Sequence, residues 1–124
     1  MSNLVTYTQA QRLKKLGFDR WSQFSYYKND VTFQKTPKKF TSDYSVAPTV
    51  SEALDWIREK ENIPCSVHLE FEENNKEWFY YGEYGIKGDN RVYDTETFDT
   101  HSLASSALLD AVLTYLELSK EKKL

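Results

Sequence analysis

Two neighbouring runs decide the fold: Cys65-Ser66-Val67-His68-Leu69-Glu70-Phe71-Glu72 and, after the turn residues Asn74-Asn75-Lys76, Trp78-Phe79-Tyr80-Tyr81-Gly82-Glu83-Tyr84-Gly85-Ile86. In the first, apolar and polar residues alternate without a break. Cys65, Val67, Leu69 and Phe71 point one way; Ser66, His68, Glu70 and Glu72 point the other. A period of two marks a strand with one packed face and one wet face. In the second run both faces carry aromatic rings, which suits a central strand or one laid against a partner. Gly88-Asp89-Asn90 turns the chain again, and Arg91-Val92-Tyr93 reads as a short third strand. Strands joined by such tight turns pair antiparallel.

Helices flank this unit. Upstream, Thr49 and Glu52 form a capping box with Pro48 just outside it, and Val50, Ala53, Leu54 and Ile57 make a buried stripe with Trp56 at its border. Asn62 and Pro64 end that helix. Downstream, Leu103/Ala104, Ala107/Leu108, Ala111/Val112 and Tyr115/Leu116 give a helix of about Ser102–Lys120 a wide apolar face. Such a face must dock on the sheet. Further upstream, residues 21–35 read as a hairpin turning at Asn29-Asp30, and Thr36 to Pro48 as a loop. Before them, Thr6 or Thr8 caps a helix whose stripe is Tyr7, Ala10, Leu13 and Leu16 and whose stop is Gly17. The order α-β-β-α-β-β-β-α predicts an α+β fold: an antiparallel sheet of about five strands with helices packed on one face. A chain of 124 residues is expected to make one domain, 1–124.

Composition narrows the function. Four Gly and three Pro leave no room for a low-complexity or collagen-like chain, and a single cysteine, Cys65, excludes an internal disulfide framework and a cysteine metal cluster. No apolar run is long enough to cross a bilayer, and Met1-Ser2-Asn3-Leu4-Val5-Thr6 has no signal-peptide pattern. A soluble, cytoplasmic protein with no membrane partner is expected. The net charge of −3 hides a division: residues 1–40 are net positive and the remainder net negative. Lys35, Lys38 and Lys39 in the basic part could contact phosphates while sheet aromatics stack bases. Acidity overall, with Glu70, Glu72, Glu73 and Glu77 beside the sheet, opposes that reading.

Catalytic patterns are sparse. Asp94-Thr95-Glu96-Thr97 resembles the first motif of the DEDD exonucleases, in which two carboxylates bind metal ions, and this leaves a metal-dependent hydrolase as a remote alternative. That family draws further acidic ligands from elements that follow, whereas the last helix offers Asp110 on its polar side. His68 and His101 lack zinc-site spacing, and Cys65 reads as a buried apolar residue rather than a nucleophile. No catalytic set, metal or cofactor is expected, and the chain reads as a non-enzyme. The aromatic content is more telling: nine Tyr, seven Phe and three Trp exceed what a small core readily buries. Tyr26, Tyr27, Tyr80, Tyr81 and Tyr84 lie where neighbouring residues face opposite sides of a sheet, so some of these rings must face away from the helices. The competing reading is a second small cluster within the monomer.

Ala47-Pro48-Thr49-Val50-Ser51-Glu52-Ala53-Leu54-Asp55-Trp56-Ile57-Arg58-Glu59-Lys60 resembles a segment of small uncharacterised proteins encoded by bacteriophages and prophages of Bacteroidetes. Leu4-Val5-Thr6-Tyr7 with Leu16-Gly17-Phe18, and Tyr93-Asp94-Thr95 with Ser105-Ser106-Ala107-Leu108-Leu109, resemble the same group. The resemblance implies a bacterial or phage cytoplasmic origin and transfers no catalytic residue. The expectation is a non-enzymatic protein-interaction module, a phage accessory protein acting on a host or phage partner. Nucleic-acid binding is the alternative. A weak homodimer centred on the aromatic strand Trp78 to Tyr84, through the sheet face away from the helices, is expected as well.

Overall fold

The computed structural model describes residues 3–27, 33–35, 44–86 and 88–122. The α+β class holds, with antiparallel strands divided between two three-stranded sheets rather than gathered in one. The chain forms two compact units, Met1–Ala53 and Leu54–Leu124.

In the first unit, helix α1 (Tyr7–Lys15) starts at Thr6, not Thr8. Gln9 N–H donates to Thr6 Oγ1 at 3.1 Å and Thr6 N–H to Gln9 Oε1 at 2.9 Å, so two backbone donors at the helix start are satisfied reciprocally. Ala10 and Leu13 are buried, and Gly17 takes the left-handed conformation (φ +92°) that lets the chain leave the helix. Strand β1 (Phe24–Tyr27) lies between β2 (Phe33–Lys35) and β3 (Tyr44–Val46). β3 falls within the stretch read as a loop. Three residues, Tyr44-Ser45-Val46, are too few to show a period of their own; they become a strand by pairing with β1, Tyr44 opposite Tyr27 and Val46 opposite Ser25. Helix α2 (Val50–Lys60), whose first turn closes the first unit and whose remainder, from Leu54, opens the second, begins with the expected box, Glu52 N–H donating to Thr49 Oγ1 and Thr49 N–H to Glu52 Oε1.

The second unit holds β4 (Cys65–Glu72), β5 (Glu77–Gly85), β6 (Val92–Phe98) and α3 (His101–Lys122), with β5 central and α3 packed across all three strands. β6 is longer than Arg91 to Tyr93. Thr95 and Thr97 favour extended backbone, so the Asp94-Thr95-Glu96-Thr97 run lies within a strand instead of following one. The buried face of α3 is Ala104, Ser105, Leu108, Leu109, Val112, Leu113 and Leu116. That is one residue on from the expected stripe, and Leu103 is exposed. Apolar residues occupy so much of this helix's circumference that periodicity identifies a helix without singling out its inner face.

Candidate functional site

Gly82 establishes which side of the β4-β5-β6 sheet is covered. A Cβ at this position would stand 2.7 Å from Leu108 Cβ and 3.1 Å from Thr95 Cγ2, so α3 approaches β5 at a distance only glycine permits. Tyr80, Gly82 and Tyr84 therefore turn toward α3, and Phe79, Tyr81 and Glu83 turn away. Register carries this to β4: Leu69 lies opposite Tyr80 and Phe71 opposite Trp78 on the helix side, and His68 lies opposite Tyr81 on the other.

The helix side is only partly roofed. α3 begins at His101, whose ring meets Tyr80 edge-on at 5.8 Å. Leu69 at that level, opposite Tyr80, and Phe71 and Trp78 beyond it are exposed by 50%, 44% and 61%. The Phe71 and Trp78 rings lie 5.1 Å apart, so these side chains form a cluster rather than scattered positions. Next to it, a depression of about 290 Å³ is bordered by Trp78, Phe79, Phe98, Glu72 and Glu77. The first unit carries a second depression of about 330 Å³, lined by Leu4, Phe24, Ser22 and the exposed Trp21.

The side away from α3 is polar and acidic. Tyr81 OH donates to Glu70 Oε1 at 3.1 Å, and the His68 imidazole stacks on the Tyr81 ring at 5.4 Å with a 23° tilt. Desolvation first, then the Glu70 hydrogen bond and the charges of Glu70, Glu83 and Asp94, push the Tyr81 phenol above its ordinary range. His68 Nε2 lies 2.9 Å from Ser66 Oγ and 3.2 Å from Glu83 Oε1. Serine, histidine and carboxylate meet here, but both oxygens converge on one nitrogen. A relay needs the carboxylate on one ring nitrogen and the hydroxyl on the other. Among the described residues, no group of three His, Cys, Asp or Glu side chains is placed to hold a metal ion. Cys65 is buried, its thiol pushed up by that burial, and Arg58 Nη1 donates to its carbonyl at 2.7 Å and lies 3.6 Å from its sulfur. His101 is the first residue of α3, its Nδ1 3.2 Å from Ser105 Oγ.

The five tyrosines do not share one face. Tyr26, expected to contribute to an exposed surface, is only 5% exposed: its ring packs edge-on against Tyr7 at 5.4 Å and its hydroxyl donates to Val5 O at 2.8 Å. It belongs to the core because the segment before α1 supplies an acceptor for its polar tip. Tyr27 is half-buried against Tyr44 across the β1–β3 pair. In the other sheet, Tyr80 and Tyr84 face α3, Tyr84 stacked on Tyr93 at 5.5 Å, while Tyr81 faces away. Asp89 accepts from Arg91 N–H, from Tyr93 OH and from the Arg91 guanidinium. Those bonds hold its carboxyl at about 2 and brace the β5–β6 turn. Lys35 is exposed at the end of β2, and Lys38 and Lys39 lie outside the described residues.

Sequence reasoning missed the Leu69–Phe71–Trp78 cluster because alternation assigns Leu69 and Phe71 to the packed face without showing where the helix over that face begins. The signal was Gly82, a residue without a side chain in the middle of an aromatic strand, which marks where another element comes close. No family model, curated protein or solved structure matches the chain.

Proposed function

We propose that the chain is a non-enzymatic protein-interaction module whose binding surface is the unroofed end of β4 and β5. The observation that carries this reading is the exposed cluster of Leu69, Phe71 and Trp78, which presents a large apolar and aromatic area held rigid on a sheet. Aromatic residues concentrate at protein interfaces because they bury much area at little conformational cost. Lining carboxylates such as Glu72 and Glu77 give that surface an acidic rim, which repels phosphate and favours a partner with basic groups around an apolar centre. The resemblance of Ala47–Lys60 to phage and prophage proteins supports a partner of phage or host origin.

The test is site-specific photo-cross-linking in the cells that make the protein, with the photoreactive residue at position 78 and, as control, at Ser119 on α3. A discrete protein adduct from position 78, lost when Phe71 is replaced by Ser, is the expected result. Adducts that are equal at both positions, or none from position 78, overturn the reading.

A further inference from the structure

β4 and β6 are the edges of the second sheet, and they are finished differently. In β6, Asp94 opposes Glu83 and Thr97 opposes Tyr81, so both Thr95 and Glu96 are set against Gly82. The Thr95 hydroxyl takes up the Gly82 N–H at 2.8 Å. A bulge together with Asp94 and Glu96 is a recognised way of keeping an edge from pairing. β4 has no such interruption: its eight residues pair with β5 in unbroken register. Two hydrogen bonds orient its backbone. Gly85 N–H donates to Pro64 O at 2.9 Å, so that carbonyl faces β5, and Arg58 Nη1 takes the Cys65 carbonyl on the opposite side. Alternation then turns the N–H and C=O of Val67, Leu69 and Phe71 outward, and among the described residues no strand pairs with them.

We propose that this edge pairs antiparallel with the same edge of a second copy, about a two-fold axis at Leu69, joining two sheets into one of six strands. The proposal rests on reading the outer end of β4 and β5 as a protein-binding surface, and the pairing sets two such surfaces side by side for the partner proposed above. Charge selects the register. With the axis at Leu69, Leu69 meets its copy and Val67 meets Phe71 in hydrogen-bonded pairs. The intervening non-hydrogen-bonded pairs, whose side chains come closest, set His68 of one copy against Glu70 of the other and Ser66 against Glu72. Both contacts occur twice.

Other registers fare worse. An axis at Glu70 opposes the two Glu70 side chains, and one at Phe71 opposes Glu70 and Glu72; like charges directly across a ladder are unfavourable. Axes at Val67 or His68 would use the Cys65 carbonyl, which Arg58 already holds. On the α3 side, the chosen register also merges Leu69 and Phe71 of both copies, flanked by Trp78, into one apolar surface.

The experiment pairs a mass measurement by light scattering at submillimolar concentration with disulfide trapping in a Cys65→Ala background. Leu69→Cys should trap a covalent dimer under mild oxidation. A hydrogen-bonded antiparallel pair holds its Cα atoms about 5.5 Å apart, inside the roughly 4.4–6.8 Å that a disulfide spans. Phe71→Cys should not, because its copy stands four residues along, about 13 Å away. His68→Glu should weaken the dimer roughly tenfold, and His68→Glu with Glu70→Lys should restore it. The mass of one chain at that concentration, or trapping through Phe71→Cys as readily as Leu69→Cys, overturns the proposal. A monomer that still yields a foreign adduct at position 78 overturns self-pairing and leaves the binding surface standing; a monomer without any adduct removes both.

Discussion

Tyr26 and Tyr81 each occupy the middle strand of a three-stranded antiparallel sheet, and the molecule treats them in opposite ways. Tyr26 is sealed: Tyr7 covers its ring and Val5 O accepts its proton. Tyr81 stands on an uncovered face, its ring against an imidazole and its hydroxyl on a carboxylate. Local sequence does not separate them, since both sit beside a second tyrosine in a run of strand-formers. The difference comes from what the rest of each unit supplies. A buried phenol needs a dedicated acceptor, and the backbone before α1 provides one. In the second sheet, α3 reaches the other face at Gly82 and leaves the rings at the sheet's end without a roof.

The firmest way to break this arrangement is Gly82→Val. The new Cβ would meet Leu108 Cβ at 2.7 Å, and that atom is tied to the helix backbone rather than to a flexible tip. Overpacking of this kind costs about 3 kcal/mol, the upper end of its usual span. Urea unfolding followed by far-ultraviolet circular dichroism should show that loss. A variant within about 0.5 kcal/mol of the native chain, the range of ordinary surface changes, would mean that α3 does not rest on β5 so closely.

Tyr26→Phe tests the sealed member of the pair. It keeps the ring against Tyr7 and removes only the hydroxyl, leaving the carbonyl of Val5, a residue 1% exposed, without that donor. The expected loss is about 1–2 kcal/mol, the cost of stranding a buried acceptor. An unchanged urea midpoint would show that water replaces the phenol, and the contrast with Tyr81 would lose its basis.

Much of this was legible in the residues themselves. The unbroken alternation of Cys65 to Glu72 fixes both faces of β4, and the boxes at Thr6/Gln9 and Thr49/Glu52 give both helix starts, because capping is decided within four residues. What escaped depends on residues distant in sequence. β3 exists through its partner β1. The length of β6 depends on a bulge whose unpaired Gly82 N–H is met by Thr95. The inner face of α3 is chosen by Gly82, and the burial of Tyr26 by a carbonyl 21 residues earlier. The candidate surface was legible only in its ingredients: an aromatic excess signals that some rings must lie outside, but not that they would be Phe71 and Trp78 in place of Tyr26.

The smallest expected effect falls on Tyr81→Phe, and it sharpens the comparison because the same atom is removed as in Tyr26→Phe. Here Glu70, an exposed side chain, loses one donor and gains water in its place, so the urea midpoint should not move. The hydroxyl should still announce itself through its titration. Desolvation, the bond to Glu70 and the nearby charges of Glu83 and Asp94 all favour the neutral phenol, raising its pKa above the ordinary value of 10.0. The sign follows from linkage: the unfolded chain ionises first, so whatever stability the neutral phenol contributes is fully present below pH 10 and is lost as pH rises through the folded value. Subtracting the ultraviolet phenolate titration of Tyr81→Phe from that of the native chain cancels Tyr26 and Tyr93, whose pKa values are also raised. The difference should be a single phenol ionising later than pH 10. A difference curve centred at or below 10 would place Tyr81 in open water, and the acidic, hydrogen-bonded face that sets it apart from Tyr26 would have to be redrawn.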